Sequence, residues 1–94
     1  MSSVSQDVLT NFSNSISGVA GYYATGEGSQ HVIVFTNDGT LTEVYWKSGQ
    51  GVHQDVLASF ASSIADVGAY YIPDDGTQHA IAGNFDGTLN EVYW

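Results

Sequence analysis

Four pairs of side chains in this sequence, each pair of one residue type, have the chemistry to bind a polar ligand. A sugar is bound where an aromatic ring faces its C–H surface and nearby donors and acceptors meet its hydroxyls. The histidines also suit a hydrogen bond to a backbone carbonyl, and the aromatic pairs also suit packing between sheets, so both interpretations stay open. The residues are His31 and His79, Glu43 and Glu91, Tyr45 and Tyr93, and Trp46 and Trp94.

The spacing of these residues is repeated along the chain. Shifting the sequence by 94 − 46 = 48 residues lays residues 7–46 over residues 55–94 without a gap, and 21 of the 40 aligned positions are identical. A fixed period of this length indicates a propeller, a solenoid or another repeated array. We therefore treat residues 1–94 as one unit with repeat 1 at about 7–46 and repeat 2 at about 55–94.

Each repeat has the pattern of a β-hairpin. Residues 32–35 (VIVF) are β-branched and aromatic, residues 41–46 alternate between two faces, and Asp38-Gly39 separates them. This pattern predicts two strands joined by a tight primed turn, in which glycine supplies positive φ. Further strands follow from the same signals at residues 78–85, 88–94, 19–24 and 67–72.

The N-terminal part of each repeat is less regular. We expect an outer strand near residues 4–12, because residues 4–9 (VSQDVL) match residues 52–57 (VHQDVL). A short helix over residues 7–16 is the alternative, since Val8, Leu9, Phe12 and Ile16 fall at helical spacing. The serines and asparagines of this segment favour turns instead.

Four strands per repeat predict an all-β fold, a β-propeller with two four-stranded blades per chain. Residues 32–35 are apolar on both faces, as expected for a sheet packed between two others. Two blades cannot close a propeller, so we expect a ring closed by homo-oligomerisation, with a homotrimer favoured and a homotetramer possible. The N-terminal strand would then complete a blade of a neighbouring copy, beside the strand that ends at Trp94.

Composition excludes several classes of partner. Ten acidic residues and a single Lys47 give a formal charge of −9, which opposes binding to nucleic acid or to an anionic membrane surface. There is no cysteine, so disulfides are excluded. We expect a soluble chain without a signal peptide or membrane span, and its cellular location is not indicated.

Catalysis and metal binding have little support in the sequence. No nucleophile motif, Gly-rich phosphate loop or distinct acid pair is present, so we expect no enzyme activity and no cofactor. His31 and His79 are equivalent positions of two repeats and make a poor metal pair. The acidic residues Asp38, Asp86 and Asp74-Asp75 fit turns better than a calcium loop.

The run from His31 to Trp46, HVIVFTNDGTLTEVYW, resembles the blade repeat of bacterial β-propeller lectins. One branch of that family has short two-blade chains that trimerise into six-bladed, fucose-binding rings. The resemblance implies sugar pockets between blades, built from an aromatic platform, a carboxylate and commonly an arginine. On this sequence the platforms would be Trp46 and Trp94 and the carboxylates Glu43 and Glu91, while no arginine is present.

Two functions follow as hypotheses. The first is a carbohydrate-binding lectin whose repeated pockets gain avidity for clustered glycans. The second is a self-assembling propeller fragment or scaffold with no ligand-binding activity. Glu43 and Trp46 lie on opposite faces of a regular strand, so a pocket that uses a glutamate and a tryptophan would draw them from neighbouring blades.

Overall fold

A computed structural model describes residues 4–94, and these residues form two antiparallel β-sheets and no helix. The first sheet has four strands in the order β1-β2-β3-β4, and the second has three in the order β5-β6-β7. The all-β prediction is confirmed. The strands are β1 (Ile16–Ala24), β2 (Ser29–Thr36), β3 (Thr40–Trp46), β4 (His53–Ser59), β5 (Ile64–Ile72), β6 (Thr77–Asn84) and β7 (Leu89–Tyr93).

The predicted hairpins are present, but their turns differ from the expected type. Gly39 and Gly87 have φ of 84° and 88°, whereas no other residue type in the described chain has positive φ. A primed turn would need positive φ at Asp38 as well. The Gly39 N–H instead donates to Thr36 O at 3.1 Å, so glycine follows the turn rather than forming its centre. The prediction of a primed turn was wrong.

The two sheets pack face to face, and we call the packed sides their inner faces. Alternate residues of β2 and β6 point inward, and β1 and β2 contact β5 across the interface. This placement buries the apolar core between the sheets. Its buried members are Ile33, Phe35, Leu41, Ile64, Ala80 and Ala82, with Val67, Val92 and Trp94 partly buried against them.

One close approach distinguishes the two repeats. The Phe35 ring lies directly over Gly18, its cross-strand partner, where any side chain would overlap with it. At the equivalent positions of the second sheet, Asp66 pairs with Gly83, and a side chain at Gly83 would meet open space. The inner face of the first sheet therefore carries a large aromatic residue that the outer face of the second sheet lacks.

The segment at residues 4–12 is neither the predicted outer strand nor the alternative helix. The fourth strand of the first sheet is β4, which follows β3 in the chain. Residues 7–12 instead lie over the outer face of the first sheet, beside Val19, Val32, Val34 and Val44. Apolar contact with this valine face is available within the chain, whereas the predicted strand would pair with β7 of a neighbouring copy. The expected pairing of residues 4–12 with β7 concerns a neighbouring copy, so it stays a prediction, while in the single chain these residues form no strand.

Within residues 4–94, no helix has the length and apolar character needed to cross a lipid bilayer.

Candidate functional site

Four aromatic side chains, one from each strand, stack across the inner face of the first sheet. Tyr22, His31, Tyr45 and His53 are successive cross-strand partners. Their ring centroids are 4.9, 5.6 and 5.2 Å apart, and interplanar angles do not exceed 23°. The pairing register therefore places two of the sequence-predicted residues, His31 and Tyr45, in one continuous stack.

His31 is held by hydrogen bonds at both ring nitrogens. Nδ1 lies 2.7 Å from Glu43 Oε2, and Nε2 lies 2.6 Å from Ser29 Oγ. Because an ionised carboxylate only accepts, we assign the proton to Nδ1, and in the neutral imidazole Nε2 then accepts from the Ser29 hydroxyl. His31 and Glu43 are 3% and 5% exposed, so this chain of hydrogen bonds is buried.

The network continues into the second sheet through Gln78. Tyr22 Oη donates to Glu43 Oε2 at 3.1 Å, so it accepts from the Gln78 amide nitrogen at 2.7 Å. With the Gln78 amide oriented in this way, the same nitrogen donates to Glu43 Oε2 at 3.2 Å. The Gln78 oxygen accepts from Trp94 Nε1 at 3.2 Å. Glu43 of one sheet and Trp94 of the other are thus brought together, although Gln78 fills the space between them.

We call Tyr22, Ser29, His31, Glu43, Gln78 and Trp94 the buried network. Its hydroxyl, imidazole and carboxylate have the order of a catalytic triad. Here, however, each group is occupied by another member, and every buried side-chain nitrogen and oxygen among the described residues has a hydrogen-bond partner. Such an arrangement can hold two sheets in one register, because a satisfied polar network specifies its own geometry.

The second sheet repeats half of this network on its outer face. His79 Nδ1 lies 3.0 Å from Glu91 Oε2, and Nε2 lies 2.8 Å from Thr77 Oγ1. Tyr70, His79 and Tyr93 stack at 4.8 and 5.9 Å. The side chain of Glu91 is 44% exposed, against 6% for Glu43. The four predicted residues Glu91, His79, Tyr93 and Trp94 therefore divide between the two faces of this sheet.

Trp46 is half-buried on the outer face of the first sheet. It borders a small cavity at the rim of that sheet. The cavity has a volume of about 110 Å³ and combines aromatic and polar groups. Tyr45 contributes to it from the stack, and Ser29 from the buried network. The remaining lining residues are Glu27, Trp46, Lys47, Gln50 and His53.

The acidic turn residues bind neighbouring threonines. Asp38 Oδ1 accepts from Thr36 Oγ1 at 2.6 Å, and Asp86 Oδ1 accepts from Thr88 Oγ1 at 2.7 Å. These hydrogen bonds hold the pKa of both carboxyl groups below the usual value. Asp75 bonds Thr77 in the same way, with the same effect on its pKa. Within residues 4–94, His, Asp and Glu side chains form no group of three placed to hold a metal ion.

The residues that sequence reasoning missed are Tyr22, Ser29 and Gln78. The sequence does offer a signal for Ser29. Ser29 and Thr77 stand two positions before the histidines, and residues two apart share a strand face. Gln78 is harder to predict from the sequence, because Gln30, at the equivalent position of the first repeat, is exposed in the same chain.

No protein-family model, curated protein or solved structure matches this chain.

The partly buried phenol of Tyr22 predicts loss of stability at alkaline pH. Burial raises its pKa well above the ordinary value of 10.0, and the charge of Glu43 adds to this effect. Because the folded chain keeps this proton longer than the unfolded chain, stability is full below pH 10 and falls as pH rises above about 10. We expect the free energy of unfolding, measured by urea titration, to fall more steeply there than in Tyr22→Phe.

Tyr22→Phe is the control for this prediction, since Tyr45 and Tyr70 also have raised pKa values and titrate in both proteins. At neutral pH the variant should be less stable by about 1–3 kcal/mol, because Glu43 and Gln78 lose a partner. Parallel pH profiles for the two proteins would contradict the assignment to Tyr22.

Proposed function

We propose that this chain is a two-blade unit that assembles head to tail with further copies of itself into a β-propeller ring. A ring of three chains with six blades is favoured, and four chains with eight blades is the alternative. The proposal depends on one observation. The outer face of the second sheet repeats the four residues that the first sheet contributes to the buried network. Tyr70, Thr77, His79 and Glu91 stand at the positions of Tyr22, Ser29, His31 and Glu43.

The other half of the junction lies on the outer face of the first sheet. In the buried network, Gln78 and Trp94 come from the second sheet. Their repeat counterparts, Gln30 and Trp46, lie on the outer face of the first sheet, where Gln30 is exposed. Each chain thus presents both halves of one polar contact on opposite sides. Such a contact is heterologous, and it closes a ring when the rotation per unit allows.

The apolar residues around these halves are complementary in size. Internally, Phe35 packs in a core cluster with Ala80 and Ala82. At the proposed junction Gly83 replaces the phenylalanine, while Val32 and Val34 replace the two alanines. The outer face of the second sheet has a depression of about 360 Å³ lined by Gly83, Ile81 and Leu89, among others. The larger valines of a second copy would fill the space that the missing phenylalanine leaves.

The exposed surface also favours assembly. Leu89 and Tyr93, on the outer face of the second sheet, are 77% and 66% exposed. Leu89 lies beside Ile81 and Gly83, and exposed apolar surface that extends over several residues typically marks an interaction site. The first strands of the two sheets, β1 and β5, contact each other, as do the inner strands around a propeller axis.

Native mass spectrometry and light scattering of the purified chain test the assembly. We expect one closed species of three or four chains, with the assembled fraction rising at higher salt. The charge of −9 per chain opposes association, and salt screens it over about 8 Å at physiological ionic strength. A monomer at all concentrations, or an open series of sizes, would contradict a closed ring.

A second candidate function is carbohydrate binding, favoured by the cavity beside Trp46. The cavity joins the Tyr45 and Trp46 rings to the Glu27 carboxylate and the Gln50 amide, which can meet sugar hydroxyls. Because it lies at the rim of the proposed junction, each ring would carry one such site per chain. Several weak sites on one particle gain avidity for clustered glycans.

A glycan array with matched variants tests the second function. Glu27→Gln and Gln50→Ala change the cavity and leave the buried network and the stack intact, so the mass of the assembly is their control. We expect binding to weaken about tenfold or more with Glu27→Gln, since hydrogen bonds to charged groups contribute about 1.5–3 kcal/mol. An array without binding to an intact ring would support the scaffold alternative.

A further inference from the structure

The segment at residues 7–12 covers the face that the proposed junction needs. Val34 and Val44 are 3% and 2% exposed beneath it, although they lie on the outer face of the first sheet. The cover is loose, since a cavity of about 320 Å³ separates the segment from the valines. Thr10 Oγ1 fixes it by donating to Gln54 Oε1 of β4 at 3.1 Å.

The same segment has the sequence of a strand. Residues 4–9 differ from residues 52–57 only at Ser5, which replaces His53. Most of residues 52–57 lie in β4, which pairs with β3 along its length. The sequence at residues 4–9 is therefore able to form a strand where a sheet edge like that of β3 is offered.

The edge of β7 is such an edge. β7 repeats β3 and pairs with β6 on one side, and no strand among residues 4–94 occupies its other side. The pairs Tyr45 with His53 and Val44 with Gln54 define the register that the repeat would impose. Transferred by 48 residues, they place Ser5 opposite Tyr93 and Gln6 opposite Val92.

We propose that residues 4–12 form an exchange arm that controls assembly. In the isolated chain the arm covers the valine face of the first sheet. On assembly it leaves this face, adds as a fourth strand to β7 of a second copy, and so opens its own face for docking. This inference rests on the proposed self-assembly and adds to it a step that must precede ring closure.

Locking the arm tests the exchange. The chain has no cysteine, so Thr10→Cys with Gln54→Cys gives one pair of thiols, which dibromobimane bridges with a gain in fluorescence. We expect the unbridged variant to assemble like the original chain and the bridged variant to remain a single chain. The matched control is Thr40→Cys with Ser59→Cys, a cross-strand pair of β3 and β4 whose bridging leaves the arm free.

The outcomes separate the two proposals. If the bridged chain assembles as fully as the unbridged one, arm exchange is overturned and self-assembly stands. If the original chain does not assemble, both proposals are overturned. A second experiment mixes a Gln6→Cys chain with a Val92→Cys chain: a bridged pair of different chains supports the exchange, and absence of such pairs in an assembled ring overturns it.

Discussion

His31→Ala is expected to destabilise the single chain by about 3 kcal/mol, since it leaves the buried carboxylate of Glu43 and the buried hydroxyl of Ser29 without the imidazole as hydrogen-bond partner. The imidazole is the donor to Glu43 and the acceptor for Ser29, and both partners are buried. Its loss also opens the stack between Tyr22 and Tyr45. Because small domains have total stabilities of about 5–15 kcal/mol, urea unfolding should show a large shift of the midpoint.

His79→Ala is the matched variant, with the same change at the equivalent position. Glu91 is open to water, so the lost hydrogen bond is replaced by solvent, and folding of the single chain should change by less than about 1 kcal/mol. The proposed junction would bury this site, so assembly should be lost. We therefore expect His31→Ala to change the unfolding of the single chain, and His79→Ala to change the mass of the assembled particle. Equal effects of both variants on folding, with assembly unchanged, would contradict the proposed junction.

Six of the seven strands could be predicted because their signals are local. Alternation, β-branched residues and Gly-containing turns fix the strands of each repeat without knowledge of what they pack against. The N-terminal segment shows the limit of this reasoning. Residues 4–9 and 52–57 are nearly the same sequence, yet only the second forms a strand, because strand formation depends on an available edge elsewhere in the fold.

The buried network could be predicted only in part for a similar reason. Sequence reasoning identified His31, Glu43 and Trp94, whose residue types are chemically distinctive. It did not identify Gln78 as their link, because that contact depends on how two sheets pack. Gln30 and Gln78 occupy equivalent positions and differ only in what faces them, so the difference between a buried link and an exposed side chain is not local to either repeat.

The inner face of the first sheet and the outer face of the second sheet differ at one pair of equivalent cross-strand positions. Gly18 and Phe35 of the first sheet become Asp66 and Gly83 in the second. Gly18 is needed because Phe35 lies over it, and without the phenylalanine an aspartate is tolerated. Together with the change from Ala80 and Ala82 to Val32 and Val34, these substitutions make the two outer faces differ in shape from the two inner faces.

Gly83→Phe is expected to abolish assembly while the single chain still folds. A side chain at Gly83 meets open space in the isolated chain. At the junction the phenylalanine would meet Val32 and Val34 of a second copy instead of two alanines. Overpacking of this kind costs about 1–3 kcal/mol at each contact, and a closed ring repeats the contact at every junction. The particle mass should fall to that of one chain, with urea unfolding little changed.

Restoring the internal pattern at the junction should rescue the assembly. Adding Asp66→Gly, Val32→Ala and Val34→Ala to Gly83→Phe reproduces the arrangement of Gly18, Phe35, Ala80 and Ala82. The two valine changes alone should weaken assembly, because they leave a cavity opposite Gly83. If Gly83→Phe and the valine pair each weaken the ring, and the fourfold variant restores it, the outer faces of different copies are directly coupled. If Gly83→Phe assembles normally, or the combined variant gains nothing over it, the two faces do not meet as proposed.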